Sequence, residues 1–328
     1  MISDHAFFNR GSGCRYRVWL GQSARTTIVT ESYPELQKAH WMASLGDAVH
    51  RPRMLRTVFT PGLRNRLSIT GPLMLDSGGF TIMMRNAHLT AREVAAAFRA
   101  VEADVLVSLD HPPLYSDAPD VRLRKHQRTL ENLQYLSEQI DHRRLAPVVH
   151  GISLEEVEES CTAVRTVLPD PRWVCLGGLV PLLRRSGRRD DKAAAARQTL
   201  RVTIRLLRRA FPTSMLHILG VGSPRTISIA FASGANSVDS IGWRRAAGFG
   251  TIFLPGGTER FVAGRSRKRA KSRKLLDEYD LEVLSCCECP ACERAGNLAG
   301  RVSSLGNSYL ARAAHNAWVL VAVEDRPG

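Results

Sequence analysis

From residue 72 onward the sequence repeats one pattern. A short apolar run ends in polar or glycine residues, an amphipathic segment follows, and a new apolar run begins. The runs fall at 72–75, 104–109, 145–149, 173–177, 216–220 and 236–240. They read as continuously apolar strands, the mark of burial on both faces. Between them lie segments of helical period, two of which open on capping boxes: Thr90 with Glu93, and Ser153 with Glu156. Strands and helices in alternation build a parallel sheet covered on its outside. "TTIVT" (26–30), "RTVFT" (56–60) and "GTIFLP" (250–255) are expected to add strands. The count then approaches the roughly eight of a closed (β/α)8 TIM barrel, an α/β fold. A doubly wound open sheet is the rival, but the glycine fingerprint after its first strand is absent.

In a barrel, function sits where strands end and the following loops begin. Read in order, these ends are Asp76-Ser77-Gly78-Gly79-Phe80, Asp110-His111-Pro112-Pro113, His150-Gly151, Gly177-Gly178-Leu179-Val180, Gly220-Val221-Gly222 and Asp239. Singly, each is ordinary turn punctuation. Together they describe a pocket of three carboxylates, one histidine and a glycine-lined wall. Displacement at a glycosidic carbon needs such a set, with one carboxylate as nucleophile and a second carboxyl for proton transfer. Glycine lets main chain approach a flat ligand, so Gly78 and Gly79 are expected to clear room for one. An aspartate can accept two hydrogen bonds from an N–H/NH2 edge.

Charge narrows the partners. Lys and Arg number 46 against 31 Asp and Glu, a net +15, which favours a polyanion, and nucleic acid is the commonest soluble one. The excess clusters at 265–274 and 184–189. Of seven cysteines, Cys286, Cys287, Cys289 and Cys292 crowd into one short stretch, with His315 downstream. In a chain without signs of secretion, such crowding points to metal instead of disulfides. Three thiolates and one imidazole complete a tetrahedral zinc shell with no open position, so the zinc expected on Cys287, Cys289, Cys292 and His315 is structural. Cys286 is a spare thiol. With 328 residues, 44% hydrophobic, the chain has ample material for a core. It has neither an apolar run of about 18 residues nor the order of a secretory signal, so a cytoplasmic protein that avoids membranes is the expectation.

"DSGGF", "CLGGLV", "ILGVGSP", "SVDS" and the cysteine–histidine cluster, in this order, resemble the tRNA-guanine transglycosylase (queuine/archaeosine tRNA-ribosyltransferase) superfamily. The resemblance covers most of the chain after residue 70. It implies a (β/α)8 barrel with a C-terminal zinc subdomain. The implied activity is exchange of a guanine in nucleic acid for a 7-deazaguanine base through a covalent intermediate. Carried over by position, Asp239 is the nucleophile and Asp76 the acid/base. Asp110 holds the guanine edge, and Gly177, Gly178 and Leu179 form the wall that reads the base's carbonyl. Gly220 and Gly222 lie under the base, flanked by Ser77 and by Phe80 as a stacking platform.

Two departures stand out. His150, in "VVHGIS", replaces the glutamine of the tRNA enzymes, which changes recognition of the carbonyl edge. "SIGWRRAAGFG" replaces a Pro-Thr-Arg element after the nucleophile. With the chain's shortness, these resemble the divergent branch that inserts deazaguanines into DNA. A DNA substrate would be gripped by Arg244, Arg245, Arg265, Arg267, Lys268, Arg269 and Lys271, with Trp243 as a wedge in the vacated stack. Expected partners are therefore nucleic acid, DNA before tRNA, and the free base; a helper protein of a DNA-modification system and a homodimer fit the same branch. The expected organisation is an N-terminal segment, 1–70, that contributes early barrel strands, a catalytic barrel core, 71–260, and a basic segment with a zinc subdomain, 261–328. Rival readings are a metal-dependent hydrolase using His111, His150 and His217, a non-catalytic zinc-containing nucleic-acid-binding protein, and a degenerate paralogue. The first lacks an H-x-H at a strand end. The other two leave Asp76 and Asp239 without a purpose.

Overall fold

The computed structural model describes residues 16–178, 190–255, 257–262 and 274–322. Its centre is one parallel sheet of β1 (Arg17–Gly21), β2 (Trp41–Ser44), β3 (Leu73–Asp76), β4 (Val105–Val107), β5 (Leu145–Ala146), β6 (Val148–Val149), β7 (Trp173–Leu176), β8 (Met215–Ile218) and β9 (Ser237–Ser240). The strands neighbour one another in the order β5-β4-β3-β2-β1-β9-β8-β7-β6. β5 and β6 stand at the two ends of that order, yet only Pro147 separates them. They act as a single stave that closes the ring. Proline has no N–H to give a ladder, which is why the stave is split there. Its carbonyl still accepts from the Cys175 N–H at 2.8 Å.

Burial on both faces explains the unbroken apolar runs. Along β3, Leu73 and Leu75 join the outer core under the helices. Met74 points inward, into a plug with Trp19, Val105, Val107, Trp173 and Cys175. The outer layer includes α1 (Gly79–Met84), α2 (Ala91–Ala100), α3 (Pro119–Gln139), α4 (Leu154–Val167), α5 (Asp190–Ala210), α6 (Pro224–Ala232) and α7 (Gly242–Gly248). The capping box at Thr90 is complete. At Ser153 only half of it forms, because Glu156 bonds instead to the Ile152 N–H and to Arg122.

Three sequence expectations change. "TTIVT" runs into the helical turn Val29–Ser32, and "RTVFT" overlaps the end of helix Pro52–Thr57. β-branched residues favour strands only where a neighbour can pair, and the first two staves are taken by β1 and β2. "GTIFLP" does hold a strand, β10 (Thr251–Leu254), but it pairs antiparallel with β11 (Thr258–Phe261) outside the ring.

Beyond the hairpin come α8 (Glu278–Ser285), α9 (Pro290–Ala295), α10 (Leu298–Asn307) and α11 (Tyr309–Val321). α11 is buried on nearly every side. Asn316 on it accepts from the Phe253 N–H at 2.7 Å and donates to the carbonyls of Trp243 and Thr251, each at 3.0 Å. One buried amide thus ties α11 to the hairpin and to α7. Among the described residues, no helix is long and apolar enough to cross a membrane.

Candidate active site and metal centre

The carboxyl ends of the strands open on a cavity of about 830 Å³. Asp76, Asp110 and Asp239 all line it, with Phe80, Gly177, Gly178, Gly220 and Gly222. Residues from five separate strand ends therefore meet in one place.

Asp76 is the last residue of β3 and lies in register with Ser44 of β2. The Ser44 hydroxyl donates to Asp76 Oδ2 at 2.7 Å. Burial, then the like charge of Asp110 and more weakly that of Asp239, pushes the Asp76 carboxyl up to about 7, against the bonds from Ser44 and Gly78. The glycines that follow serve the protein more than a ligand, contrary to expectation. Gly78 holds φ +85, and a side chain there would strike the backbone of Gly46. One at Gly79 would strike the Asp110 carboxylate. Neither glycine lines the cavity. Ser77 also turns away: it is fully buried, and its hydroxyl donates to the Ser108 carbonyl at 3.0 Å.

Asp110 follows β4, and its Oδ2 lies 3.0 Å from His150 Nε2. His150 is buried behind the carboxylate and does not line the main cavity. It faces a second cavity of about 190 Å³, with Arg122, His126, Glu156 and Glu159. Its contact with a ligand in the main cavity is thus through Asp110, a correction to its placement on the ligand's edge.

Asp239 closes the triangle from β9. Its Oδ1 accepts the Gly220 N–H at 2.6 Å. Gly220 holds φ +74, in the left-handed region open to glycine, and that turn aims its N–H at the carboxylate. Gly178, beyond the neighbouring strand β7, holds φ +75. Sequence reading did not single out Ser44 or the Gly220 N–H as partners of the carboxylates. The strand "WMAS" ending on a hydroxyl was the available signal for Ser44.

The basic surface divides. Arg244 and Arg245 line the cavity. Arg244 bonds to Thr26 Oγ1, and its guanidinium lies 5.6 Å from the Trp243 ring centre. Trp243 itself is fully buried, edge-on to Trp41 with ring centres 6.0 Å apart. A wedge must reach solvent, so that expectation fails and Trp243 is core. Leu179, Arg265, Arg267, Lys268, Arg269 and Lys271 lie outside the described residues.

In the C-terminal region, Cys287, Cys289, Cys292 and His315 bring their ligand atoms within 4.8 Å of one another. His315 Nδ1 lies 3.6, 3.3 and 3.6 Å from the three sulphurs. Ligands on a tetrahedral Cys3His ion sit roughly 3.5 Å apart, so the four residues fit a metal ion. His315 Nε2 bonds to the Phe253 carbonyl at 2.8 Å, which turns Nδ1 into the cluster. Burial pushes the Cys289 thiol up, while hydrogen bonds from Cys289 and Cys292 draw Cys287 down. A buried group of this kind becomes thiolate together only around a cation.

Residues 35–299 match the family model for queuine tRNA-ribosyltransferase. A tRNA-guanine(15) transglycosylase of Methanosarcina mazei is 28% identical over 257 residues, 75% of this chain and 45% of that protein. A queuine tRNA-ribosyltransferase of Gloeobacter violaceus is 28% identical over 258 residues, 70% of this chain and 62% of its own. Uncharacterized protein 306 of Sulfolobus islandicus rod-shaped virus 1 is 23% identical over 231 residues, 66% of this chain and 65% of its own. The chain spans about half the length of the tRNA-guanine(15) transglycosylases it matches.

Proposed function

Because this chain belongs to the queuine tRNA-ribosyltransferase family, we propose that it exchanges a guanine in nucleic acid for a 7-deazaguanine base, with DNA as the polymer. The observation that carries the reading is the meeting of Asp76, Asp110 and Asp239 in one cavity, with Asp76 poised near neutrality. Asp239 attacks the anomeric carbon; the carbon–nitrogen bond to guanine breaks as the ester to Asp239 forms. Asp76 gives its proton to the departing base. The incoming base then yields a proton to Asp76, attacks the same carbon and frees Asp239. A carboxyl titrating near neutrality suits both proton transfers. Asp110 accepts the N–H/NH2 edge of the base and His150 holds Asp110 in place. Arg244 and Arg245 at the rim supply phosphate contacts.

A structural zinc ion on Cys287, Cys289, Cys292 and His315 completes the reading. Its closed shell adds folding energy and takes no part in the exchange.

DNA is preferred because "SIGWRRAAGFG" stands where the tRNA enzymes carry an anticodon-gripping element. Transfer RNA is the second reading, favoured by the names of two relatives. The test offers labelled guanine or a 7-deazaguanine with duplex DNA, single-stranded DNA or total tRNA. Label entering DNA alone supports the first reading and label in tRNA alone the second. Label in no polymer removes both.

A further inference from the structure

Below the cavity lies a buried imidazole that the steps above leave unused. His217 is the third residue of β8 and is fully buried. Strand alternation turns it inward, because Met215 and Leu219, two residues to either side, pack against the apolar plug inside the barrel. The β8–β9 register sets His217 beside Ser237, two residues before Asp239. His217 Nδ1 lies 2.7 Å from Ser237 Oγ, and Nε2 lies 3.4 Å from Asp239 Oδ1. Apart from that approach to the carboxylate, buried Nε2 has no hydrogen-bond partner.

For a neutral ring, elementary hydrogen-bond logic selects one arrangement. A carboxylate only accepts, so the ring nitrogen facing Asp239 must carry the hydrogen. Nδ1 of the neutral ring is then bare, and the Ser237 hydroxyl has to donate to it. The other tautomer would set the Nε2 lone pair against the carboxylate.

We propose that His217, held in this tautomer by Ser237, is the positioning residue for Asp239. With the Gly220 N–H it ties down Oδ1, which leaves Oδ2 as the oxygen that attacks the sugar. In the ester Oδ1 becomes the carbonyl oxygen and keeps both donors; on release of the sugar the carboxylate returns to a prepared place. The other two acids follow the same plan, with Ser44 holding one oxygen of Asp76 and His150 one oxygen of Asp110. The inference rests on Asp239 as the nucleophile.

His217→Phe keeps an aromatic ring and removes the donor. Base-exchange kcat should fall on the order of 10- to 100-fold, the value of a hydrogen bond to a charged group. KM for the free base should stay within about twofold if ground-state binding is untouched. Trapped protein–nucleic acid adduct should form more slowly, and His217→Gln, which restores an N–H, should recover part of the rate. Unchanged kcat in His217→Phe overturns the proposal. So does an equal loss in the Phe and Gln variants with a matching drop in thermal stability. Nitrogen-15 NMR of the wild-type ring separates this inference from the proposed activity. A neutral ring protonated on Nε2 supports it even where no exchange is seen, and protonation on Nδ1 overturns it at any level of activity.

Discussion

The barrel mouth and the cysteine–histidine cluster bury polar groups in opposite ways. At the mouth three carboxylates converge, and one, Asp76, is pushed up to about 7 because burial and its neighbours disfavour its charge. In the cluster four ligand atoms close on a single point and the outer nitrogen of His315 is already bonded. The first region keeps unmet electrostatic demand that a ligand can satisfy. The second satisfies itself once a metal ion is bound. Removing a group should therefore stabilise or spare the fold in one region and damage it in the other.

The largest expected break in that contrast is Asp239→Ala. Exchange should drop by about four orders of magnitude or more, since the covalent route is gone, while the unfolding midpoint stays level or rises. Full activity would remove Asp239 as nucleophile. Next in size, Cys289→Ala or a strong chelator should lower metal content and stability together, by about 3 kcal/mol or more. Normal metal content in a destabilised Cys289→Ala protein would refute the metal centre.

Asp76→Asn sharpens the contrast through pH. The folded-state pKa of about 7 lies above the ordinary 3.8, so the folded protein holds that proton more tightly than the unfolded chain. The resulting stabilisation is complete below the unfolded value and is lost as pH rises through about 7. Asn keeps the neutral form at every pH. It should flatten the decline in stability between those values while lowering exchange about 10²- to 10⁴-fold. A wild-type denaturation curve without that decline would show that Asp76 is not so perturbed. The smallest expected effect is His150→Phe. Its loss should raise KM for the free base about 10-fold and leave the metal centre untouched. An unchanged KM would mean that Asp110 needs no help in keeping its orientation.

Much of this was legible before any coordinates. The acid ends of the strands were readable because a barrel sends every strand end to one rim, so residues far apart in sequence share a location once the fold class is known. The cysteine cluster was readable because its spacing is mostly local. Trp243 was not. Its neighbours Arg244 and Arg245 suggest a surface, yet the helix that carries them turns the indole onto Trp41 in the core. Gly78 and Gly79 look like room for a ligand, but what presses on them is Gly46 and Asp110, which no local pattern brings there.

By itself, then, the sequence determined the barrel class, the three acids at its mouth and the cysteine–histidine group that fits a metal ion. Burial on both faces writes continuous apolar runs, and the spacing of the three cysteines is written within six residues of chain. Only the tertiary structure decided which group holds each carboxylate: Ser44 for Asp76, His150 for Asp110, and the Gly220 N–H for Asp239. Those pairings depend on the register between adjacent staves and on the turn beyond each strand, set by packing between segments that are distant in the chain.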